Sequence, residues 1–390
     1  MKKSVEQERI AAVQRFLRGE KPESICTNLG KSRSWLYKWI ERFDANDKSW
    51  AQEQSRAPRI QASRIDPKVE EAVKLVRLSL YNKGLFCGDQ AIYWELENLG
   101  VTPLPSLCTI NRILDRNGLT NRRTGRYEAK GVVYPKLLAT TPNQVHQLDL
   151  VGPCYLIGGN TRFYGLNTID IAINRCGIEP MPNKSANSVL GSVWAIWRRL
   201  GIPLAVQVDN EMVFYGSPKH PRGMGVLIRL CLLYGVELWF NPIKEPWRNG
   251  VVEKFNDHYK QKFLSRVFMR SFKDLKKESL EYELRHNSCY RYGKLGGKTP
   301  QAAFEQSGIA KILPDKQLPP KLPLLKPEEG RYHLVRFIRN DLRLNIFGEV
   351  FKAPPEVQYE YAVATIDVKE QKLKLFLNSA QVAEYIYKLR

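Results

Sequence analysis

The chain has 390 residues, with 61 lysines and arginines against 40 aspartates and glutamates, for a formal net charge of +21. Hydrophobic residues make up 43% and aromatics 11%, which supports packed cores and excludes wholesale disorder. So large a basic excess favours a polyanionic partner, DNA, RNA or an anionic membrane surface, and decides nothing about fold. No apolar run is long enough to span a membrane. The basic start MKKSVEQERIAAVQRF lacks the apolar core of a signal sequence, so a cytoplasmic location is the expectation. Seven scattered cysteines without a CxxC pair suit a reducing compartment, and with only five histidines they argue against a structural zinc site.

Length predicts several domains. In residues 1–48, Ile10, Val13, Phe16 and Leu17 recur at helical spacing, Pro22 fits the first turn of a second helix, and Gly30 ends it. Ser32 can cap a third helix, SRSWLYKWIERF, whose Trp35, Leu36, Trp39, Ile40 and Phe43 share one face. Arg33, Ser34, Tyr37 and Lys38 lie off that face. Two short helices joined by a glycine turn describe a helix-turn-helix, and a plain helical bundle fits the same stripe. Residues 49–65 are polar and aperiodic, a linker. Residues 66–122 predict a second helical unit: one stripe of Val69, Ala72, Val73 and Val76, another of Ala91, Ile92, Leu96 and Leu99, and a helix capped by Ser106 that buries Ile110, Ile113 and Leu114. It would be a winged or helix-turn-helix unit. The basic connector 123–138 follows, and Arg122, Arg123 and Arg126 are candidate phosphate contacts.

Residues 139–305 change character. QVHQLDLVG and TRFYGLNTIDIAINRCGI read as strands, SANSVLGSVWAIWRRLG as a helix, IPLAVQVDN as a buried strand, GMGVLIRLCLLYG as a helix and VELWF as a strand. This order predicts a mixed α/β sheet with helices on both faces. Residues 306–330 are a proline- and lysine-rich linker. Residues 331–390 alternate with strand period, as in Leu373, Leu375 and Leu377, and predict a small β-barrel of SH3-like size.

Three carboxylates stand out in the middle domain. Asp149 lies inside an apolar strand and Asp209 ends another. Glu253 begins an amphipathic helix whose apolar side is Val252, Phe255, Tyr259 and Phe263. Each alone has an ordinary explanation: a strand-terminal aspartate caps a turn, and a helix-start glutamate satisfies free N–H groups. Three acids at one sheet edge would repel unless divalent cations neutralised them. Mg²⁺ suits such a set, being a hard cation that takes oxygen ligands, and two such ions can clamp a scissile phosphate.

HQLDLVG around Asp149, QVDNEMVF around Asp209, NPIKEPWRNGVVEKFN around Glu253 and the trailing LGGKTPQAAF together resemble the integrase catalytic core of the retroviral integrase superfamily. More narrowly the chain resembles bacterial insertion-sequence transposases of the integrase-like group. The long Pro-x-x-x-Pro-x-x-Asn-Gly-x-x-Glu arrangement is the most specific of these signatures. The resemblance implies an RNase H-like fold and a DDE triad, carried here by Asp149, Asp209 and Glu253. It implies two Mg²⁺ ions, for which Mn²⁺ can substitute, and Mg-dependent cleavage at transposon ends followed by strand transfer into target DNA. Double-stranded DNA, namely terminal inverted repeats and target, would be the partner. A homo-multimer is implied, an ATP-dependent accessory protein is a further candidate, and the setting would be the bacterial nucleoid. Asn249 and Gly250 would shape the entry to the last helix so that Glu253 turns toward the aspartates, and Asn210 could orient Asp209. Trp247 and Arg248 could touch DNA, or Trp247 could staple its own loop.

Two features depart from the family pattern. The gap between Asp209 and Glu253 is longer than usual, with a surplus at FYGSPKHPRGMG. Glu211 stands where relatives often have glycine, either as a surface change or as a fourth acid. His146 reads as packed rather than catalytic, and Asp170 as an edge charge. The rival function is a transposase-derived DNA-binding regulator or targeting protein without cleavage.

Overall fold

The computed structural model describes residues 5–47, 49–53, 65–120, 133–156, 161–217 and 220–390, which divide after Ile65 into two compact units. The first unit holds three helices: α1 (Val5–Leu17), α2 (Pro22–Leu29) and α3 (Arg33–Glu41). Pro22 starts α2, where its missing N–H costs nothing, and Gly30 ends it at φ 62°, a left-handed cap open to glycine. The Ser32 hydroxyl accepts from the Trp35 N–H at 3.2 Å and so caps α3. Ala12, Ile25 and Leu36 form the core, and the Arg9 guanidinium lies 4.1 Å over the buried Trp39 ring. The helix-turn-helix expected within residues 1–48 is present as α2 and α3.

The second unit begins with α4 (Pro67–Asn82), α5 (Asp89–Asn98) and α6 (Leu107–Arg116). Val69, Val73 and Val76 are buried, as are Ile92, Leu96, Ile110, Ile113 and Leu114, and Ser106 caps α6. Leu99 departs from its expected stripe: it follows the last turn of α5 and is 64% exposed.

The sheet builds outward from β1 (Val145–Tyr155). β2 (Arg162–Asp170) and β3 (Cys176–Met181) add antiparallel on one side, and β4 (Ala205–Val208) and β5 (Glu237–Phe240) add parallel on the other. The order β3-β2-β1-β4-β5 is the mixed α/β sheet that the sequence predicts. The helix α7 (Ala186–Leu200), capped by Ser185, connects β3 to β4, and α8 (Met212–Tyr215) and α9 (Val226–Leu233) connect β4 to β5. The α7 residues Val189, Val193, Trp194 and Trp197 pack with Leu148, Leu166 and Val206 on one face. On the other, α10 (Gly250–Tyr259) and α11 (Phe272–Cys289) pack Val252, Phe255, Tyr259, Phe263 and Tyr282 against Phe163, Ile169 and Ile178. A π-helical turn, residues 260–264, continues α10. α12 (Pro300–Gln306) follows. α11 has a capping box, Ser271 with Asp274, a signal legible in the sequence but not used above. The front helices dock on this side: the Tyr290 hydroxyl donates to the Gly84 carbonyl, Lys262 donates to the Leu85 carbonyl at 2.7 Å, and Phe86 lies edge-on to Tyr290.

The C-terminal residues correct an expectation. They contain the expected strands, β6 (Arg331–Phe337), β7 (Arg343–Ile346), β8 (Glu349–Lys352), β9 (Tyr361–Asp367), β10 (Lys372–Leu377) and β11 (Ala380–Ile386). They do not stand apart as an SH3-like barrel. β6 pairs in parallel with β5, and β9, β10 and β11 continue the same sheet to nine strands, while β7 and β8 form a separate ladder. Alternation specifies a strand but not its neighbour, and the open edge of β5 needs a partner. The hydrophobic core is shared too: Tyr332, Leu334, Ile366 and Leu375 belong to the same cluster as Trp194 and Phe240. The surplus between Asp209 and Glu253 packs on these strands. Tyr215 stacks on Phe347 at 4.5 Å, and Arg222 pairs with Glu349 at 2.8 Å. A chain truncated before β6 therefore exposes the β5 edge and strips away more than a third of one core. It is expected to aggregate rather than yield a monomeric core, as judged by size-exclusion chromatography; a soluble, cooperatively melting truncation would contradict the shared core.

Candidate active site

β1 and β4 run parallel with Gln147 opposite Gln207. Side chains two residues apart along a strand share a face, so Asp149 and Asp209, one such step further on, project on the same side. α10 crosses that side, and Glu253 lies in its first turn. The three carboxylates feel one another. Burial and the neighbouring charge of Asp209 push Asp149 up to about 6, with Glu253 and Glu211 adding to the effect. Asp209 is raised by burial and by Glu211, against the lowering hydrogen bond of Asn241. Glu253 is raised by burial and then by Asp209.

Neutral carboxamides hold the two aspartates. Asn256 of α10 donates to Asp149 Oδ2 at 2.7 Å, and Asn167 of β2, directly opposite Asp149, donates to Asn256 at 2.8 Å. Asn241 donates to Asp209 Oδ1 at 2.8 Å. Gln207 donates to Asn241 Oδ1 at 2.6 Å, and Gln147 donates to Gln207 at 3.0 Å. The Gln147 Oε1 also accepts from the N–H groups of Val251 and Val252, each at 3.1 Å. A side chain of β1 thus caps α10 from across the site and fixes the helix that carries Glu253 relative to the strand that carries Asp149. None of these amides was singled out in the sequence. The signal was the glutamine two residues before each aspartate, on the same strand face.

The donor set has the chemistry of a hard-cation site. It consists of carboxylate oxygens, and among the described residues the leading neighbours that shift Asp149, Asp209 and Glu253 are other carboxylates and hydrogen-bond donors rather than lysines or arginines. Among the described residues no group of three or more Asp, Glu, His or Cys side chains is drawn close enough to hold one ion. The acids share a face and a field without closing into a ligand cage.

The remaining candidates fall in different places. Asn210 does not touch Asp209; it donates to the Asn241 carbonyl at 2.6 Å. The buried Asn249 does not cap α10 but donates to the Leu148 carbonyl at 3.3 Å. Gly250 has ordinary helical dihedrals, and a methyl group added there would meet nothing within 4 Å. Trp247 is 61% exposed, so it does not staple its loop; with Tyr134, Lys136 and Gly250 it lines a groove of about 720 Å³ beside the start of α10. Arg248 is engaged internally, 2.9 Å from Glu245 and from the Tyr361 hydroxyl and 4.0 Å over the Tyr134 ring. Glu211 lies 3.3 Å from Lys184. Asp170 is not an edge charge: it is buried and accepts from the Asn143 and Ala172 N–H groups. Arg33, Ser34, Tyr37 and Lys38 are exposed on α3, with Arg33 paired to Glu23. Arg122, Arg123 and Arg126 lie outside the described residues.

Residues 3–48 match a family model for a homeodomain-like domain. Among solved structures, the HTLV-2 integrase catalytic core domain in complex with magnesium, in trimeric and dimeric forms, aligns at 15% identity and a TM-score of 0.33, over 42% of this chain and 97% of that one. The simian T-cell lymphotropic virus intasome in complex with a PP2A B56 gamma subunit aligns at 14% identity and a TM-score of 0.36, over 82% and 97%. The chain resembles integrase- and transposase-like DDE proteins in its homeodomain-like front, its strand order and its acid-bearing signatures. No helix among the described residues is long and apolar enough to cross a membrane.

His146 is fully buried, 3.0 Å from Asn143, and burial lowers its pKa to about 3; burial does the same to His286. Both imidazoles should stay neutral in the folded protein, so their ring resonances in a histidine-labelled sample should not move between pH 8 and pH 5. Because these pKa values lie below the unfolded value near 6.5, each neutral imidazole withdraws stability as pH falls below about 6.5. A midpoint near 6 for His146 would return it to the list of acid–base candidates.

Proposed function

We propose that the chain is a DDE-type polynucleotidyl transferase that cleaves DNA at the ends of a mobile element and joins them to a target. The observation that supports this best is that three electrostatically coupled carboxylates share one face of an RNase H-like sheet. Asp149 and Asp209 would offer oxygens to two divalent ions, and Glu253 would complete the set. Bound Mg²⁺ would activate the attacking oxygen and balance charge on the phosphate and the leaving oxygen. The protein's own work is placement. Asn256 and Asn241 aim the two aspartates, Gln147 fixes the helix of Glu253, and the groove under Trp247 receives the DNA strand. α3 would read the duplex ends through Arg33, Ser34, Tyr37 and Lys38.

The test is cleavage and joining of linear duplexes that carry the DNA flanking the chain's own coding segment, with Mg²⁺ or Mn²⁺ and with EDTA. Glu253 lies off the Val252–Phe255–Tyr259 face, so Glu253→Gln should fold and bind ends normally, while both reactions fall about a thousandfold or more. Asp149→Asn and Asp209→Asn should match it, and the losses should not add. Binding that is equal in EDTA, with no cleavage under any metal, would identify a DNA-binding regulator instead.

Gly250 offers a finer probe. Its backbone does not require glycine, so Gly250→Ala should leave stability unchanged or raise it by roughly 0.5–1 kcal/mol. If DNA approaches α10 closely at the groove, the same change should weaken substrate binding several-fold. A DNA affinity equal to the parent's would show that the approach is not close.

A further inference from the structure

The C-terminal strands reach into the acid site at two points. Arg336 of β6 is 4% exposed and lies under the ends of β4 and β5. Its guanidinium donates to the Asn241 carbonyl at 3.1 Å, to Asn210 Oδ1 at 2.9 Å and to the Asn345 carbonyl at 2.9 Å. Asn241 is the residue that holds Asp209, and Asn210 follows Asp209 directly. Tyr361 of β9 makes the second contact. Its hydroxyl donates to Glu245 at 2.8 Å and accepts from Arg248 at 2.9 Å, in the turn that leads to α10 and Glu253.

Strand pairing does not explain these contacts. β6 is already bonded to β5 on one side and β9 on the other through its backbone. Burying a guanidinium is costly, and all the acceptors found for Arg336 are neutral oxygens rather than a carboxylate. Its rigid fork bridges two loops that must keep a fixed separation if Asp209 is to stay in place. We propose that Arg336 is a positioning residue for Asp209, acting through Asn210 and Asn241, and that residues 331–390 are thereby a working part of the active site. This rests on the polynucleotidyl transferase reading, with Asp209 as a metal ligand.

The experiment uses the full chain and Mn²⁺ as probe, titrated by electron paramagnetic resonance, beside circular dichroism, DNA binding, and kcat and KM for cleavage. The variants are Asp209→Asn, Arg336→Gln, Arg336→Lys and Asn210→Ala. Asn210 is half-buried, so its truncation removes the Oδ1 that accepts from Arg336 and the amide that donates to the Asn241 carbonyl, leaving the direct Arg336–Asn241 bond, without opening the core. Asp209→Asn should abolish one Mn²⁺ site. Arg336→Gln and Asn210→Ala should weaken that site about 10–100-fold and lower kcat with KM for DNA unchanged, and Arg336→Lys should recover part of the loss. If Asp209→Asn loses the site while Asn210→Ala binds Mn²⁺ like the parent, the positioning role is wrong, whatever Arg336→Gln does to folding. If Mn²⁺ binding is absent from the parent or indifferent to Asp209→Asn, the transferase reading fails first and takes this inference with it.

Discussion

The fold has to hold three like charges together on one face of a sheet. Burial raises the proton affinity of Asp149, Asp209 and Glu253, and neighbouring acids add to it: Asp209 acts on both Asp149 and Glu253, and Glu211 acts on both aspartates. A lysine or arginine bound to each would relieve the repulsion, but it would also occupy the oxygens a divalent cation needs. The structure uses amides instead. Asn256, backed by Asn167, directs Asp149, and Asn241, backed in turn by Gln207 and Gln147, directs Asp209, all without charge. Both aspartates are thereby oriented by uncharged donors.

That relay constrains the architecture around it. Gln147 can cap α10 only if α10 starts directly over β1, and the aromatic ladder Phe255, Tyr259 and Phe263 pins it there against Phe163 and Ile178. Asn241 can meet Asp209 only if β5 keeps its parallel register with β4. β5 would be an exposed edge if the chain ended at α12. β6 covers it and brings Arg336 to the far side of the same asparagine. The long stretch between Asp209 and β5 is then no idle insertion: Tyr215 and Arg222 meet the β7–β8 ladder and lock it to the core.

Much of this was legible in the sequence, and the limits have physical causes. The acids were visible because an aspartate within an apolar strand and a glutamate at a helix start are costly or conspicuous. α3, α6 and α7 were visible through a serine cap and a 3.6-residue stripe. The amides were not, because asparagine and glutamine sit at turns and surfaces for many reasons, and only the register between strands distant in sequence makes them partners. Gly250 was read as a shaped entry to a helix, yet its dihedrals are ordinary. Arg248 was read as a DNA contact, yet Glu245 and Tyr361 hold it, and Tyr361 lies far away in sequence. The strand alternation after residue 330 foretold the strands but not their neighbours, so an isolated barrel was expected where the sheet simply continues.

The first unit follows the opposite logic. Its core of Ala12, Ile25 and Leu36 is complete within residues 1–65, and its buried Trp39 is covered by Arg9 of the same unit. Ser32 caps α3 locally, so the exposed face bearing Arg33, Ser34, Tyr37 and Lys38 needs nothing from the rest of the chain to keep its shape. Substitutions on that face touch only the rim of the core, Tyr37 against Phe16 and Lys38 over Trp39, and should cost little stability. The acid site has no such freedom, since Asp209 depends on Asn241, Asn241 on Arg336, and Arg336 on the pairing of β6 with β5. Under the proposed function, a recognition surface that can vary would be joined to a reaction centre that cannot. New end specificity could then arise on α3 without disturbing the geometry of a single carboxylate.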